Sequence, residues 1–211
     1  MDKIICIGKN YLEHAKELNK MIGDSIPDKP VIFFKPPSVI QQTAHDGIIK
    51  ATLPQGHGQT HHECEIALRI TKDCHRISPK EAESYFDAVT LGLDMTLRDL
   101  QAHLKKSGHP WEMAKSFKDS ILLGPWIELN DFKDFLNTEF SFSINGEVKQ
   151  KSFGKKMTLN PYECLSYASE YFEIKKGDIL FTGTPEGVGA VQRGDLGSLE
   201  WGSHLKSQIQ W

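Results

Sequence analysis

Asn145-Gly146 stands between two short alternating runs, Phe140–Ile144 and Glu147–Lys151. The tightest hairpin turn needs φ > 0 at both central residues, and Asn followed by Gly reaches that conformation most cheaply, so an antiparallel hairpin is predicted here. The surrounding sequence extends the pattern. Strands are predicted at Asp178–Thr182, near Leu196–Trp201 and near His204–Ile209, with one helix from Asn160-Pro161-Tyr162-Glu163 to about Phe172. In the first half, Lys3–Ile7, Val31–Phe34, Gly47–Ala51, His62–Thr71 and Val89–Met95 read as strands. Tyr11, Leu12, Ala15 and Leu18 fall at helical spacing, which predicts a helix from Asn10 to about Leu18, followed by a connector over Met21–Lys29. Ser78-Pro79-Lys80-Glu81 is a helix start, and Thr96-Leu97-Arg98-Asp99 resembles a second capping box, opening a helix to about Lys106. Strands outnumber helices and do not alternate with them, so an α+β fold with a mixed, curled sheet is expected rather than a doubly wound one.

At 211 residues the chain is expected to be one domain. A net charge of −3 offers no electrostatic footprint for nucleic acid or an anionic membrane. The apolar run at the N-terminus is short for a signal peptide, and no stretch reaches the roughly 18 apolar residues of a membrane span. Cys6, Cys64, Cys74 and Cys164 are scattered without a Cys-x-x-Cys pair, which suits reduced thiols in a cytoplasmic protein.

The densest chemical cluster is His61-His62-Glu63-Cys64-Glu65. On a strand, Glu63 and Glu65 share a face, where they are either two solvated acids or a pair needing a cation. Asp94 lies in the apolar run Leu91-Gly92-Leu93-Asp94-Met95, where it either caps the next helix or faces the two glutamates. Three carboxylates make a hard, all-oxygen site suited to Mg²⁺ or Mn²⁺. A zinc site of His61, His62 and Cys64 is the weaker rival, because adjacent strand residues point to opposite faces.

His14 and Glu17 are three apart on the first helix: an imidazole with a carboxylate to orient it, or a solvated helix face. Lys115, in an apolar neighbourhood, is either a buried cation aimed at an oxyanion or a lysine snorkelling to the surface. Thr182-Gly183-Thr184-Pro185-Glu186-Gly187-Val188-Gly189 is neither a Walker nor a Rossmann loop. It is a plain tight turn, or a nest whose N–H groups and Thr184 hydroxyl hold a small carboxylate.

Taken in order, these segments resemble the fumarylacetoacetate hydrolase superfamily. The resemblance is carried by Gly8-Lys9-Asn10-Tyr11-x-x-His14-x-x-Glu17, Pro30–Pro36, His61–Glu65, Leu91–Asp99, Gly108-x-Pro110-Trp111-x-x-Ala114-Lys115-Ser116-Phe117 and the loop Thr182–Gly189. It spans essentially the whole chain and is nearest the short single-domain branch of acylpyruvases. It implies a mixed β-roll, a homodimer, and Mg²⁺ or Mn²⁺ on Glu63, Glu65 and Asp94. It further implies a lid over residues 10–29 bearing catalytic His14 and Glu17, with Lys115 and Gln101 near the reacting carbonyl. Arg98, Gly183 and Thr184 are expected to bind substrate. The implied reaction is cleavage of a 2,4-diketo acid to pyruvate and a carboxylic acid. Oxaloacetate decarboxylation and isomerisation or tautomerisation of 2-oxo acids are the alternatives, and a metal-dependent dicarboxylate-binding protein is the non-enzymatic one.

Overall fold

The hairpin at Asn145-Gly146 forms as its turn chemistry dictates, with φ 51° at Asn145 and 83° at Gly146. The structure is a computed structural model and describes residues 1–22, 29–43 and 47–211. The first half runs β1 (Ile4–Gly8), α1 (Leu12–Ile22), β2 (Val31–Lys35), β3 (Ile40–Gln42), β4 (Ile48–Lys50), β5 (Thr60–His62) and β6 (Cys64–Ile70). Next come α2 (Pro79–Ala82), β7 (Phe86–Asp94), β8 (Thr96–Leu97), α3 (Arg98–Lys106), α4 (Glu112–Lys115), β9 (Ile121–Leu123) and β10 (Ile127–Glu128). The chain ends with β11 (Glu139–Ile144), β12 (Glu147–Phe153), α5 (Pro161–Ser169), β13 (Ile179–Phe181), β14 (Gly189–Ala190), β15 (Leu196–Trp201) and β16 (Leu205–Gln210).

The largest sheet has the order β2-β1-β13-β6-β7-β9-β3, with β10 also paired to β7. A second sheet is ordered β12-β11-β15-β16-β4, and a small third one β14-β5-β8. Pairs β1–β13, β3–β9 and β16–β4 are parallel and the others antiparallel, which makes the expected mixed α+β fold. One core cluster packs Ile66, Leu68, Leu91 and Leu93 with Phe140, Phe142, Leu199 and Trp201 of the second sheet. A second cluster, including Ile4, Cys6, Ile121 and Phe181, lies on another part of the large sheet. All four cysteines are buried and free. Among the described residues no helix is long and apolar enough to cross a membrane.

Several boundaries depart from the sequence reading. The strand expected over His62–Thr71 is interrupted at Glu63, between β5 and β6, and β5 joins the small sheet. The first helix outruns Leu18, to Ile22; the rest of the Met21–Lys29 connector falls largely outside the described residues. Ser78 and Asn160 form capping boxes with Glu81 and Glu163. No box forms at Thr96: it belongs to β8, its hydroxyl donates to Asp94 O, and the N-cap of α3 is Leu97. Pairing of Thr96 with His61 holds the threonine in a strand and away from the helix end.

Gly92 lies where β7 passes closest to its neighbours. A Cβ there would come within 2.8 Å of Phe181 Cζ and 2.9 Å of Leu122 O. Gly92→Ala is therefore expected to cost about 1–3 kcal/mol, because the carbonyl belongs to a paired strand and cannot retreat. Equilibrium denaturation checks this; an unchanged midpoint would show that the two strands can separate freely.

Candidate active site

β6 and β7 are antiparallel neighbours, and the Asp94 N–H donates to Glu63 O at 2.9 Å. This contact sets the end of β7 beside the break before β6. The ligand oxygens of Glu63, Glu65 and Asp94 then lie within 4.8 Å of one another, all three residues being buried. Among the described residues this is the one cluster of three or more such side chains. The rival set is dispersed: His61 pairs with Gln59, and His62 Nδ1 lies 2.9 Å from Gln150 Oε1. Burial lowers both histidines to a pKa of about 4, with Arg98 adding to the effect at His61 and Gln150 opposing it at His62.

Three buried cations face the acids. Lys115 Nζ, at the end of α4, donates to Glu63 Oε2 and Asp94 Oδ2 at 2.7 Å each. Lys35 Nζ ion-pairs with Asp94 Oδ1 and donates to Ser120 O at 2.8 Å and Met95 O at 3.1 Å. Arg98 Nη2 pairs with Glu63 Oε1. Burial alone would raise Glu63, but Lys115 and Arg98 hold it well below the usual carboxylate range. Burial drives Glu65 the other way, well above that range, helped by Asp94 and Glu63. Its carboxylate accepts the Gly183 N–H at 2.6 Å, whereas Lys35, Lys115 and Arg98 pair with the other two acids. Three clustered carboxylates make an all-oxygen donor set of the kind that suits a hard divalent cation. Burial lowers Lys115, but Asp94 and Glu63 more than restore it, so it stays charged.

Across the cleft stands α1. His14 is buried, and its Nδ1 is 3.2 Å from Glu17 Oε2. Glu17 in turn accepts the Gly187 N–H at 3.2–3.3 Å. Burial pushes the Glu17 carboxyl up, yet the His14 and Gly187 hydrogen bonds leave it below its ordinary value. The cleft is tight, with room for about 30 Å³ of water-sized space, and is lined by His14, Lys115, the three acids and apolar walls such as Phe33 and Trp111.

Eight of the expected site residues line this cleft, and Glu17 and Gly183 adjoin it through His14 and Glu65. Gly183 was expected to hold a substrate carboxylate; its N–H is taken by Glu65, because the loop runs directly past the end of β6. Thr184 was expected to donate to that carboxylate too; its hydroxyl donates instead to Cys64 O at 2.9 Å. Arg98 has its fork engaged, with Nη1 donating to Gln101 Oε1 at 2.8 Å and Nε to His61 Nδ1 at 3.5 Å. Gln101 lines the cleft and holds Arg98. Two residues escaped the sequence reading. Lys35 closes an apolar run, a charge in a buried strand like Asp94, and that signal could have found it. Gln150 carries no such mark.

Residues 3–210 match the protein family described as Fumarylacetoacetate (FAA) hydrolase C-terminal. The chain is 34% identical over 205 residues to oxaloacetate tautomerase YcgM of Escherichia coli, covering 97% of this chain and 90% of that one. It is 36% identical over 197 residues to the mitochondrial oxaloacetate tautomerase fahd-1 of Caenorhabditis elegans, covering 92% and 87%. Among solved structures, fumarylpyruvate hydrolase from Pseudomonas aeruginosa in complex with Mn²⁺ and pyruvate superposes with a TM-score of 0.89. That likeness is at 31% identity over 99% of this chain and 88% of that one.

Proposed function

The chain belongs to the fumarylacetoacetate hydrolase family, and on that premise we propose that it is a divalent-cation-dependent enzyme moving a proton at the carbon beside the carbonyl of a small 2-oxo acid. The reaction best supported is keto–enol tautomerisation of oxaloacetate. The observation that carries it is the His14–Glu17 pair set across one cleft from Lys115 and the acid trio. With Glu17 accepting from Nδ1–H, the imidazole keeps Nε2 as the basic nitrogen. His14 then takes a proton from C3 and delivers it to the enolate oxygen, which gives the enol; the reverse transfer gives the keto form. Lys115 supplies positive charge to the developing enolate oxygen. Glu63, Glu65 and Asp94 would hold Mg²⁺ or Mn²⁺, whose chemistry when bound is Lewis-acid polarisation of the 2-oxo group.

Tautomerisation needs this base and no water, and both curated relatives described above are oxaloacetate tautomerases. The second reading is hydrolytic cleavage of an acylpyruvate, in which the same imidazole would activate water. It is favoured by the fumarylpyruvate hydrolase likeness. Purified, Mg²⁺-loaded protein should speed the ultraviolet decay of enol-oxaloacetate well above the buffer rate and cleave acetylpyruvate more slowly. Cleavage of acetylpyruvate without any effect on oxaloacetate would overturn the tautomerase reading and leave the hydrolase one.

A further inference from the structure

We propose that Lys105 makes a second anion subsite at the far end of the cleft, for the distal carboxylate of a 2-oxo diacid. The proposal rests on the 2-oxo-acid reading above and adds which residue selects a diacid over a monoacid.

α3 presents Arg98, Gln101 and Lys105 to the cleft, at spacings of three and four residues on one helix face. Arg98 marks the end at the acid trio, since it pairs with Glu63. Lys105 stands seven residues on, about 10 Å along the helix axis. Its Nζ lies 4.4 Å from the centroid of the Trp111 ring, and Trp111 packs against Phe33 with ring centroids 6.2 Å apart. Stacking on an aromatic face holds the head of a long, half-buried side chain in place. The walls of the cleft include Leu18, Val31, Phe33 and Trp111. An anion brought against such apolar walls loses water and needs a counter-charge.

The free space runs the same way. The cleft has room for about 30 Å³ of water-sized space, and an adjoining groove for about 210 Å³. The two share Val31, Phe33, Trp111 and Lys115. A ligand with its 2-oxo end at the acids therefore extends toward Trp111. The groove also carries Glu112, which disfavours an anion inside it. A distal carboxylate then stops beside Trp111, at Lys105. The charge balance agrees. Among the described residues lining the cleft, Lys9, Arg98, Lys105 and Lys115 stand against three carboxylates. A bound divalent cation tips the balance further positive, which suits a ligand with two negative charges better than one. Oxaloacetate has a second carboxylate and pyruvate does not. Lys105 is thus a specificity-determining residue, remote from the carbon that exchanges its proton.

The test compares 2-oxoglutarate with 2-oxopentanoate, in which a methyl group replaces the distal carboxylate. Titration calorimetry on Mn²⁺-loaded wild type should find 2-oxoglutarate at least about tenfold tighter. Lys105→Met keeps an apolar stem against Trp111 and removes the charge. It should weaken 2-oxoglutarate about tenfold or more and leave 2-oxopentanoate within about twofold, while Lys105→Arg keeps the preference. With enol-oxaloacetate, Lys105→Met should raise KM more than it lowers kcat, as for an interaction made equally in ground and transition states. Equal losses for both ligands would make Lys105 a support for Trp111 and overturn the proposal. A diacid preference that survives in Lys105→Met, or that vanishes only in Lys9→Met, would overturn it too. If wild type binds the two ligands equally, the subsite is refuted while the 2-oxo-acid reading stands. If wild type binds neither yet acts on oxaloacetate, the KM comparison decides, and an unchanged KM in Lys105→Met refutes the subsite. If it neither binds these ligands nor acts on oxaloacetate, the 2-oxo-acid reading itself fails and the proposal with it.

Discussion

Asp94→Ala is expected to abolish divalent-cation binding and every activity that depends on it. Asp94 is fully buried, and Lys35 and Lys115 both pair with it. Removing it would delete one of the three proposed ligands and leave two buried ammonium groups short of their counter-charge. Loss of a residue that only supports a metal ligand costs about 10–100-fold in affinity, so loss of a ligand itself should exceed roughly 100-fold. Breaking the buried pairs should in addition destabilise the protein by about 3–5 kcal/mol. Mn²⁺ titration followed by electron paramagnetic resonance measures the first effect and chemical denaturation the second. Asp94→Asn, which keeps the volume but not the charge, leaves no cavity and gives a second variant in which Mn²⁺ affinity can be read. Wild-type Mn²⁺ affinity in a folded Asp94→Asn protein would remove Asp94 from the ligand set.

His14→Ala should have the next largest effect, and a selective one. A positioned general base is worth on the order of 10²–10⁴-fold. Enol–keto exchange of oxaloacetate, and any acylpyruvate hydrolysis, should fall by about that factor. Decarboxylation of oxaloacetate needs neither an activated water nor proton abstraction at C3, and it should fall much less. Glu17→Gln should be milder, since an amide oxygen still accepts from Nδ1–H but no longer stabilises an imidazolium. The separation is possible because His14 and Glu17 stand on α1, apart from the strands that carry the acids. Equal losses in proton transfer and decarboxylation would reassign the pair to positioning the substrate. In that case the proposal of His14 as base loses its support.

The contrast between Asp94 and Gln150 shows where sequence reading reaches its limit. Asp94 was legible because a carboxylate in an apolar strand has few affordable explanations, and local periodicity reveals the strand. The Asn145-Gly146 turn and the Ser78 and Asn160 caps were legible for a related reason: each is chemistry completed within three or four residues. The family resemblance singled out the acid trio and the His14–Glu17 pair; in the structure the three acids cluster and line one cleft with His14, which contacts Glu17.

What tertiary structure alone decided are the partners. Gln150 is 88 residues from His62 and 34 from Thr184, and its meaning comes from the second sheet packing against the first. The strand break at Glu63, invisible in an alternating run, arises because β5 pairs in one sheet and β6 in another. Thr96 has the sequence of a cap, but cross-strand pairing with His61 holds it in a strand. Gly183 and Thr184 have the sequence of a carboxylate nest, but their hydrogens go to Glu65 and Cys64 across 118 and 120 residues. Residue types determine which hydrogen bonds and charges a chain can offer. Which of them remain for a ligand is determined only when folding has satisfied the buried groups first.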